Sequence, residues 1–394
     1  MRLVEIAQLT RRIVSIVAVL LILYLTFLVS KEPTRQMLLS IFPPKDLPTV
    51  GFGLLDPLEF TSVPTLNSNP QYVLNTRTGQ LPADIPTILK VYKFIPPRLS
   101  FGAGEKAQKD ALVLGFTDEN RISSLNSSIF EWQDVQFGGN LKIDLNSNLI
   151  QLTTPLIGKG SFFPAGRFGT KENVIERAKQ LLTKLGRFQD TLYKSPERGT
   201  QTVAYGKFTA KGVVKADSPL EAQLARVDFF RKVLDTPILG PDPKKGMLRI
   251  YMRAPDDKPE FPQLNYPLVE INHWEIDTDE TKIATYPAIP ISAAWNQVAQ
   301  NKGVIANVTP SGASPFLDTP PIRIQRVLIN DIFLAYFDNT KPQTHLQPIY
   351  VFQGNFSGDN GVNGDITIYY PAISGQYVKT GSTQQGQGQT TNTR

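Results

Sequence analysis

Apolar residues recur every three or four positions in three stretches of the chain, which is the spacing of one face of an α-helix. This pattern predicts helices over 106–116, 172–188 and 292–299. In the first two stretches a glycine, Gly115 or Gly186, follows the apolar face at the position where helices commonly end. Both of these stretches fit an Ala-x-x-x-(Ala/Leu)-x-x-Leu-Gly scheme, which indicates an internal repeat.

A fourth helix is predicted over 222–234, after a helix-start signal. Ser218 and Glu221 have the spacing of a capping box, in which each side chain bonds the backbone N–H of the other residue. Pro219 stands where the first turn of a helix accepts proline. The body of this stretch has apolar side chains at helical packing spacing, which predicts core packing rather than a ligand platform. These side chains are Leu224, Val227, Phe229, Phe230, Val233 and Leu234.

Each of the first three predicted helices is followed by segments in which apolar and polar residues alternate, as they do in β-strands. A helix followed by an antiparallel meander is an α+β arrangement in which the helix covers one face of the sheet. The predicted fold class is therefore α+β, with tandem helix-plus-antiparallel-sheet units. The predicted strands are 129–132, 141–145, 149–152, 202–208, 247–251, 322–337, 346–352 and 366–370.

Residues 13–29 form an apolar run without a charge, with Arg11 and Arg12 before it and Lys31 after it. As a helix this run would span about 25 Å, which suits the hydrocarbon core of a bilayer. A cleavable signal peptide is disfavoured because no small-x-small site follows the run. The sequence therefore predicts a single-pass protein of the cell membrane, with a cytoplasmic N-terminus and an extracytoplasmic C-terminal domain.

Changes in composition along the chain predict its division into segments. Prolines and turn residues after Lys31 predict an extended stalk, or a strap that lies on the domain. The Gly-, Gln- and Thr-rich end of the chain predicts disorder. The predicted segments are a cytoplasmic N-terminus at 1–12, a transmembrane helix at 13–29, a Pro-rich stalk at 31–69, three α+β units at 70–154, 170–290 and 291–374, and a disordered tail at 375–394.

Composition excludes several classes of function. The 394-residue chain contains no cysteine, which removes disulfides, zinc–cysteine sites, iron–sulfur clusters and thiol nucleophiles. A domain of this size without disulfides favours a bacterial surface protein. The net charge of +6 is not gathered into a basic block, so nucleic acid is not an expected partner.

A search for sites of chemistry predicts no catalytic, cofactor-binding or metal-ligating residue, and no cofactor. The histidines, His273 and His345, are far apart and have no HExxH or comparable spacing. In 358–365, Asp359 and Asp365 have oxygens that suit calcium, but the same residue types make a tight turn between strands. The acids near His273 fit a half-exposed strand edge as well as a metal site; they are Glu270, Glu275, Asp277 and Asp279.

Several stretches resemble the PepSY-like regulators, which are membrane-anchored extracellular proteins built from a helix and a small antiparallel sheet, often in tandem copies. The resemblance rests on the helix that opens at Ser292 and on the long strand 322–337, which contains Leu334-Ala335-Tyr336. The strand 346–352 is similar to the Leu-x-Pro-aromatic strand of the family, and 225–231 is similar to its middle helix. These stretches cover about half of the chain.

The resemblance implies binding and regulation, because such proteins modulate sensor histidine kinases or proteases of the cell envelope without chemistry of their own. The first hypothesis is therefore a non-catalytic, membrane-tethered extracytoplasmic binding or regulatory module with an envelope protein as partner. The alternative is a scaffold or assembly subunit of an envelope complex. A second alternative is an anchored wall-polymer hydrolase, because two acids brought together by folding leave no linear signature.

Overall fold

The computed structural model describes most of the chain from residue 47 to residue 380. Two compact units are present, Met1–Leu47 and Pro48–Arg394, and all strands given below belong to the second. The described residues are 47–66, 69–97, 102–123, 128–188, 191–194, 199–210, 212–255, 261–272 and 274–380, together with Ile16, Val17, Leu20, Leu21 and Tyr24.

The prediction of a membrane-spanning helix at 13–29 is wrong. A helix that crosses a bilayer needs about twenty consecutive, predominantly apolar residues. Within the part of the chain that the structure describes, no helix meets this requirement for length and apolar character. The predicted single-pass topology, cytoplasmic N-terminus and membrane localisation are corrected with it. Most of 13–29, all of 1–12 and residues 381–394 of the predicted tail lie outside the described residues.

The described residues of the second unit form seventeen strands and few helices. The strands are β1 (Gln71–Leu74), β2 (Ile88–Ile95), β3 (Ile129–Asp134), β4 (Gly139–Asp144), β5 (Leu149–Thr153), β6 (Gly199–Thr209), β7 (Gly212–Lys215), β8 (Leu224–Val233), β9 (Thr236–Leu239), β10 (Leu248–Arg253), β11 (Leu268–Ile271), β12 (Glu275–Asp277), β13 (Ala284–Pro287), β14 (Val304–Pro310), β15 (Ile324–Phe337), β16 (His345–Gly358) and β17 (Asn363–Pro371). The α-helices are α1 (Ala103–Val113), α2 (Lys171–Lys184), α3 (Thr191–Lys194) and α4 (Ile291–Ala299).

The observed fold is mostly β with mixed strand directions, which corrects the predicted α+β class. The strand pairings join the strands into one hydrogen-bonded system instead of tandem units, each with its own helix. The parallel pairings of β15 with β1 and with β9 also have no place in an antiparallel meander. These pairings join residues far apart in the sequence, so local alternation of apolar and polar residues did not indicate them.

Eight strands in the order β3-β4-β5-β11-β10-β8-β6-β7 form an antiparallel section that we call sheet I. Alternate residues of each strand point to the same face, and α1 and α2 cover the apolar face. Trp132, Val227 and Ile250 of the sheet pack there with Ala107 of α1 and Leu182 of α2. This face, which the two helices bury, forms the largest of the hydrophobic cores.

The opposite face of sheet I carries a polar row across six strands. Directly paired residues in this row have opposite charges wherever both are charged, an arrangement that stabilises antiparallel sheets. The row therefore explains several charged residues in strand interiors without any ligand. In strand order it consists of Glu131, Lys142, Gln151, Glu270, Arg249 and Asp228.

Strands in the order β1-β15-β16-β17-β14 form a second section, which we call sheet II. Helix α4 packs on it, with Ala294 and Val298 in one core with Phe352 and Ile368. Strand β2 pairs with the start of β16 on one side and with β12 and β13 on the other. Strand β9 joins the sections, because it pairs with β8 of sheet I and with β15 of sheet II.

A buried ion pair also links the two sheets. Arg231 of β8 lies 2.8 Å from Asp338, the residue after β15, and their side chains are 2% and 0% exposed. Arg231 also donates to the carbonyl oxygen of Trp274 at 2.8 Å and lies over the ring of Tyr193. The Trp274 indole in turn donates to the carbonyl oxygen of Asn339. The joint between the sheets therefore depends on a charge pair that water does not reach.

The three helices predicted from apolar spacing are confirmed as α1, α2 and α4, but the helix predicted over 222–234 is wrong. That stretch forms β8, an interior strand of sheet I between β10 and β6. Its side chains are buried on both faces, so the apolar residues show no clean period of two. Segment 225–231, which resembled the middle helix of PepSY-like proteins, is part of the same strand.

The segment Thr49–Phe60, which we call the strap, lies along sheet II and belongs to the range predicted as a stalk. Leu55 is fully buried, and its backbone N–H and carbonyl bond Tyr377 and Lys379 near the end of the described chain. The ring of Phe60 packs edge-on against Phe337, with 4.8 Å between ring centroids. The strap therefore contributes apolar side chains to the core of the unit.

Gly354 is a position where sheet II has no space for a side chain. A Cβ atom added there would lie 1.8 Å from the carbonyl oxygen of Leu328 on the neighbouring strand, beside a register shift in the β15–β16 ladder. We expect Gly354→Ala to lower the free energy of unfolding by about 1 to 3 kcal/mol, because the two strands must move apart. Chemical denaturation measures this change. Gly375→Ala is the matched control, since a Cβ atom there contacts nothing within 4 Å, and equal losses for both variants would contradict the prediction.

Candidate functional site

Two adjoining cavities lie beside the strap at one end of sheet II. The first has a volume of about 260 Å³ and mostly apolar walls, and the second has about 490 Å³ and is lined mainly by polar residues. Pro57 of the strap and Gln347 of β16 line both cavities. We call the two cavities together the groove. Its size falls within the usual range of ligand sites in proteins, about 300 to 1,000 Å³.

The apolar cavity is built from segments distant in sequence. Leu58 of the strap forms one wall, and Tyr370 at the end of β17 contributes an aromatic ring. Burial raises the pKa of Tyr370, so its hydroxyl stays protonated at neutral pH. The cavity therefore offers aliphatic and aromatic surface to a ligand. Its other apolar walls are Ile289, Pro348, Pro371, Ile373 and Val378.

The strap is held over the groove by side chains of sheet II and the segment after it. Asp56 accepts hydrogen bonds from the Thr344 hydroxyl at 2.8 Å and from the Lys379 ammonium at 2.6 Å. These two bonds hold the pKa of Asp56 below its ordinary value. The Gln347 amide donates to the backbone oxygen of Asp56 at 2.8 Å, and the Asn339 amide donates to that of Glu59 at 3.2 Å.

His345 lies at the start of β16 and lines the polar cavity. Its ring is half-buried against the ring of Phe52, with 4.6 Å between the centroids, and its Nδ1 lies 2.8 Å from the Thr344 hydroxyl. Burial lowers the pKa of His345, while the carboxylate of Asp56 raises it by a smaller amount. The imidazole is therefore neutral at pH 7, where it can accept a hydrogen bond.

Glu59 and Lys341 form an ion pair at the rim of the polar cavity, at 3.2 Å. Both side chains are more than half exposed, so the pair contributes little to stability and either partner is open to exchange. Gln343, also on this wall, donates through its amide to the backbone oxygen of Phe337. The polar cavity therefore combines fixed amides and an imidazole with charges that a ligand can displace.

The acids named around His273 are mostly held in ion pairs. His273 itself lies outside the described residues. Glu270 pairs with Arg249 in the polar row of sheet I, and Lys282 pairs with both Asp277 and Asp279. Glu275 is exposed on β12. No group of three potential metal-ligating side chains occurs among the residues that the structure describes.

Asp359 lies on the connection between β16 and β17, where Asn360 and Gly361 have positive φ angles of 56° and 76°, and Asp365 is the third residue of β17. Asp359 accepts from the Gln325 amide at 2.6 Å, and Asp365 pairs with Lys244 at 2.9 Å. Both carboxylates thus have protein partners. The geometry is that of a tight turn whose backbone needs glycine and asparagine.

Asp56, Glu59 and Thr344 are residues of the groove that no sequence pattern singles out. Asp56 and Glu59 fall in a proline-rich stretch, and Thr344 precedes a predicted strand. A weak signal was the presence of Leu55, Leu58 and Phe60 beside these acids, since a solvated stalk does not require large apolar side chains.

Comparisons with known proteins give no family and no function. No protein-family model matches the chain, and no curated protein matches it. Among solved structures, the chain is similar to an uncharacterized protein from Eubacterium rectale at 13% identity, over 73% of this chain and 85% of that one, with a TM-score of 0.38. A TM-score this low does not assign a function. The resemblance to PepSY-like regulators stays a prediction.

Proposed function

We propose that this protein is a non-catalytic binding module that takes a peptide segment of a partner protein into the groove. The observation that supports this is the shared wall of the two cavities at Pro57 and Gln347. An apolar side chain of the peptide fills the cavity beside Leu58 and Tyr370. The neighbouring backbone and polar side chains of the peptide then reach the amides and charges of the polar cavity. Aliphatic or aromatic anchors in such pockets supply most of the binding energy at protein interfaces.

The arrangement of hydroxyl, imidazole and carboxylate in the groove favours binding over catalysis. A nucleophilic hydroxyl must direct its hydrogen toward a base that removes it. The hydroxyl of Thr344 donates to Asp56, whose carboxylate also accepts a bond from Lys379. These two bonds lower the pKa of Asp56, so its carboxylate is a weak base that holds the strap and does not activate Thr344.

Peptide selection on the full chain tests this function. A phage-displayed library of random peptides is panned on the immobilised protein, and we expect enriched sequences that share a large apolar residue. Leu58→Lys introduces a charge into the apolar cavity and should weaken binding of these peptides at least tenfold. Leu54→Lys is the matched control, because Leu54 lies on the same strap, is 54% exposed and does not line the groove.

The test compares the peptide affinities of the two strap variants. Thermal unfolding of both variants shows that each retains the fold. A library that yields no shared apolar residue, or equal binding by the Leu58→Lys and Leu54→Lys variants, would show that the groove is not the peptide site.

A further inference from the structure

The hydrogen atoms around Thr344 follow from the geometry of its contacts. The hydroxyl oxygen lies 2.8 Å from a carboxylate oxygen of Asp56 and 2.8 Å from Nδ1 of His345. An ionised carboxylate only accepts hydrogen bonds, so the single hydroxyl hydrogen of Thr344 must point to Asp56. The contact with His345 is then a hydrogen bond only if Nδ1 carries a hydrogen and donates it to the hydroxyl oxygen.

Asp56 is ionised in this arrangement because its partners favour the charged form. The Lys379 ammonium, 2.6 Å away, and the Thr344 hydroxyl hold the pKa of Asp56 below its ordinary value of about 3.9. Near neutral pH the hydrogen bonds therefore have one direction: His345 donates through Nδ1–H to Thr344, and Thr344 donates to Asp56. We call this chain of two hydrogen bonds the relay. A hydrogen bond at one ring nitrogen of a histidine fixes the tautomer, and so determines how the other ring nitrogen can bond a ligand.

We propose that this relay holds His345 as the Nδ1–H tautomer, so that its Nε2 accepts a hydrogen bond from an N–H or O–H group of the peptide bound in the polar cavity. The proposal rests on the proposed function, because it names the contact that the polar half of the groove makes with that peptide. Thr344 and Asp56 also line the polar cavity, and they act here as positioning residues because they hold the tautomer of the imidazole. The ring of Phe52, tilted by 35° against the imidazole, further restricts its rotation.

The acceptor role has a defined pH dependence. The charged groups that face the imidazole are Asp56 of the strap, Lys93 of β2 and Lys379, and burial together with the two lysines lowers the pKa of His345. A lowered pKa keeps the ring neutral above its ordinary value of about 6.5 and down to the folded-state value. As the pH falls through that folded-state value, Nε2 gains a hydrogen, becomes a donor and no longer accepts a bond from the peptide.

The tautomer is measured without any ligand. Nitrogen NMR of the full chain with ¹⁵N-labelled histidine, assigned with the His345→Gln variant, distinguishes protonated from unprotonated ring nitrogens. At pH 7.5 we expect Nδ1 protonated and Nε2 unprotonated. Thr344→Val should shift the ring toward the Nε2–H tautomer, whereas Thr344→Ser, which keeps the hydroxyl, should not. A wild-type ring that is mainly Nε2–H overturns the proposal, whatever the library selection gives.

The acceptor role is measured with a peptide selected on the wild-type chain. That peptide should shift the Nε2 resonance, and its affinity should fall at least tenfold from pH 7.5 to a pH one unit or more below the folded-state pKa of His345, which the same NMR titration locates. In His345→Gln the pH-dependent loss should be absent, because the glutamine oxygen accepts at both pH values. A peptide that binds without shifting Nε2, or an equal pH-dependent loss in both proteins, overturns the acceptor role while leaving the groove as the peptide site.

Discussion

Replacing Asp338 with alanine is expected to lower the free energy of unfolding by about 3 to 5 kcal/mol, the largest effect of any substitution considered for this protein. Asp338 is fully buried and lies 2.8 Å from Arg231, whose side chain is also buried. Removing the carboxylate takes a buried ion-pair partner away from the Arg231 guanidinium at the joint of the two sheets. Urea unfolding followed by tryptophan fluorescence measures the loss, since Trp274 bonds the same region.

Two comparisons separate the buried charge from other causes. Lys341→Ala breaks the exposed Lys341–Glu59 pair and should change the free energy of unfolding by no more than about 1 kcal/mol. The double variant Arg231→Met with Asp338→Leu removes both charges and should recover much of the loss, because apolar residues of similar volume often replace a buried ion pair without cost. A double variant as unstable as Asp338→Ala would show that packing, rather than the loss of the ion pair, explains the result.

Leu55→Ala is expected to destabilise the protein by about 2 to 5 kcal/mol, because it removes a fully buried side chain from the core of sheet II. The magnitude depends on how far the strap can collapse into the space that is left. Chemical denaturation gives the change in free energy, and native-state hydrogen exchange shows whether the backbone of residues 49–60 opens more often than the rest of sheet II.

Leu54 is the matched control for this substitution. It is adjacent to Leu55 on the same strap but is 54% exposed, so Leu54→Ala should change the free energy of unfolding by less than about 0.5 kcal/mol. If both variants lose the same amount, the strap is not packed as the structure shows.

The elements that the sequence predicts correctly are those whose signals are local. Gly115 and Gly186 end helical patterns and adopt positive φ angles of 91° and 64°, as the stop signals indicate. The strands of the hairpin at 141–152 and the long strands β15 to β17 also lie where the sequence pattern predicts strands. In each case residues within a few positions of one another determine the helix end or the strand, so the sequence alone predicts it.

The predicted helix at 222–234 shows where local signals mislead. The carboxylate of Glu221 bonds the backbone N–H of Asp217 at 2.9 Å, so a capping-type hydrogen bond does form in this turn. The chain after it nevertheless becomes β8, because β6 and β10 pair with both edges of this stretch. Pairing and burial on both faces outweigh a helix propensity that differs by only about 0.7 kcal/mol per residue among ordinary side chains.

The groove could not be predicted from the sequence, for a different reason. Asp56 bonds Thr344 across 288 positions and Lys379 across 323 positions of the chain. None of these three residues has a neighbour in sequence that suggests a shared site. His345 stands out in the sequence as a residue type common in functional sites. Its role as a hydrogen-bond acceptor, however, depends on Thr344, and that contact exists only in the folded chain.

The bonds between Leu55 and the segment at Tyr377 and Lys379 have a consequence during synthesis of the protein. A ribosome that adds about 5 to 20 residues per second needs roughly 15 to 65 seconds to travel from the first partner to the last. Throughout this interval Leu55 has no partner at residues 377–379. A nascent chain of this protein therefore exposes an apolar segment that a chaperone can bind, and the strap is among the last parts to reach its native place.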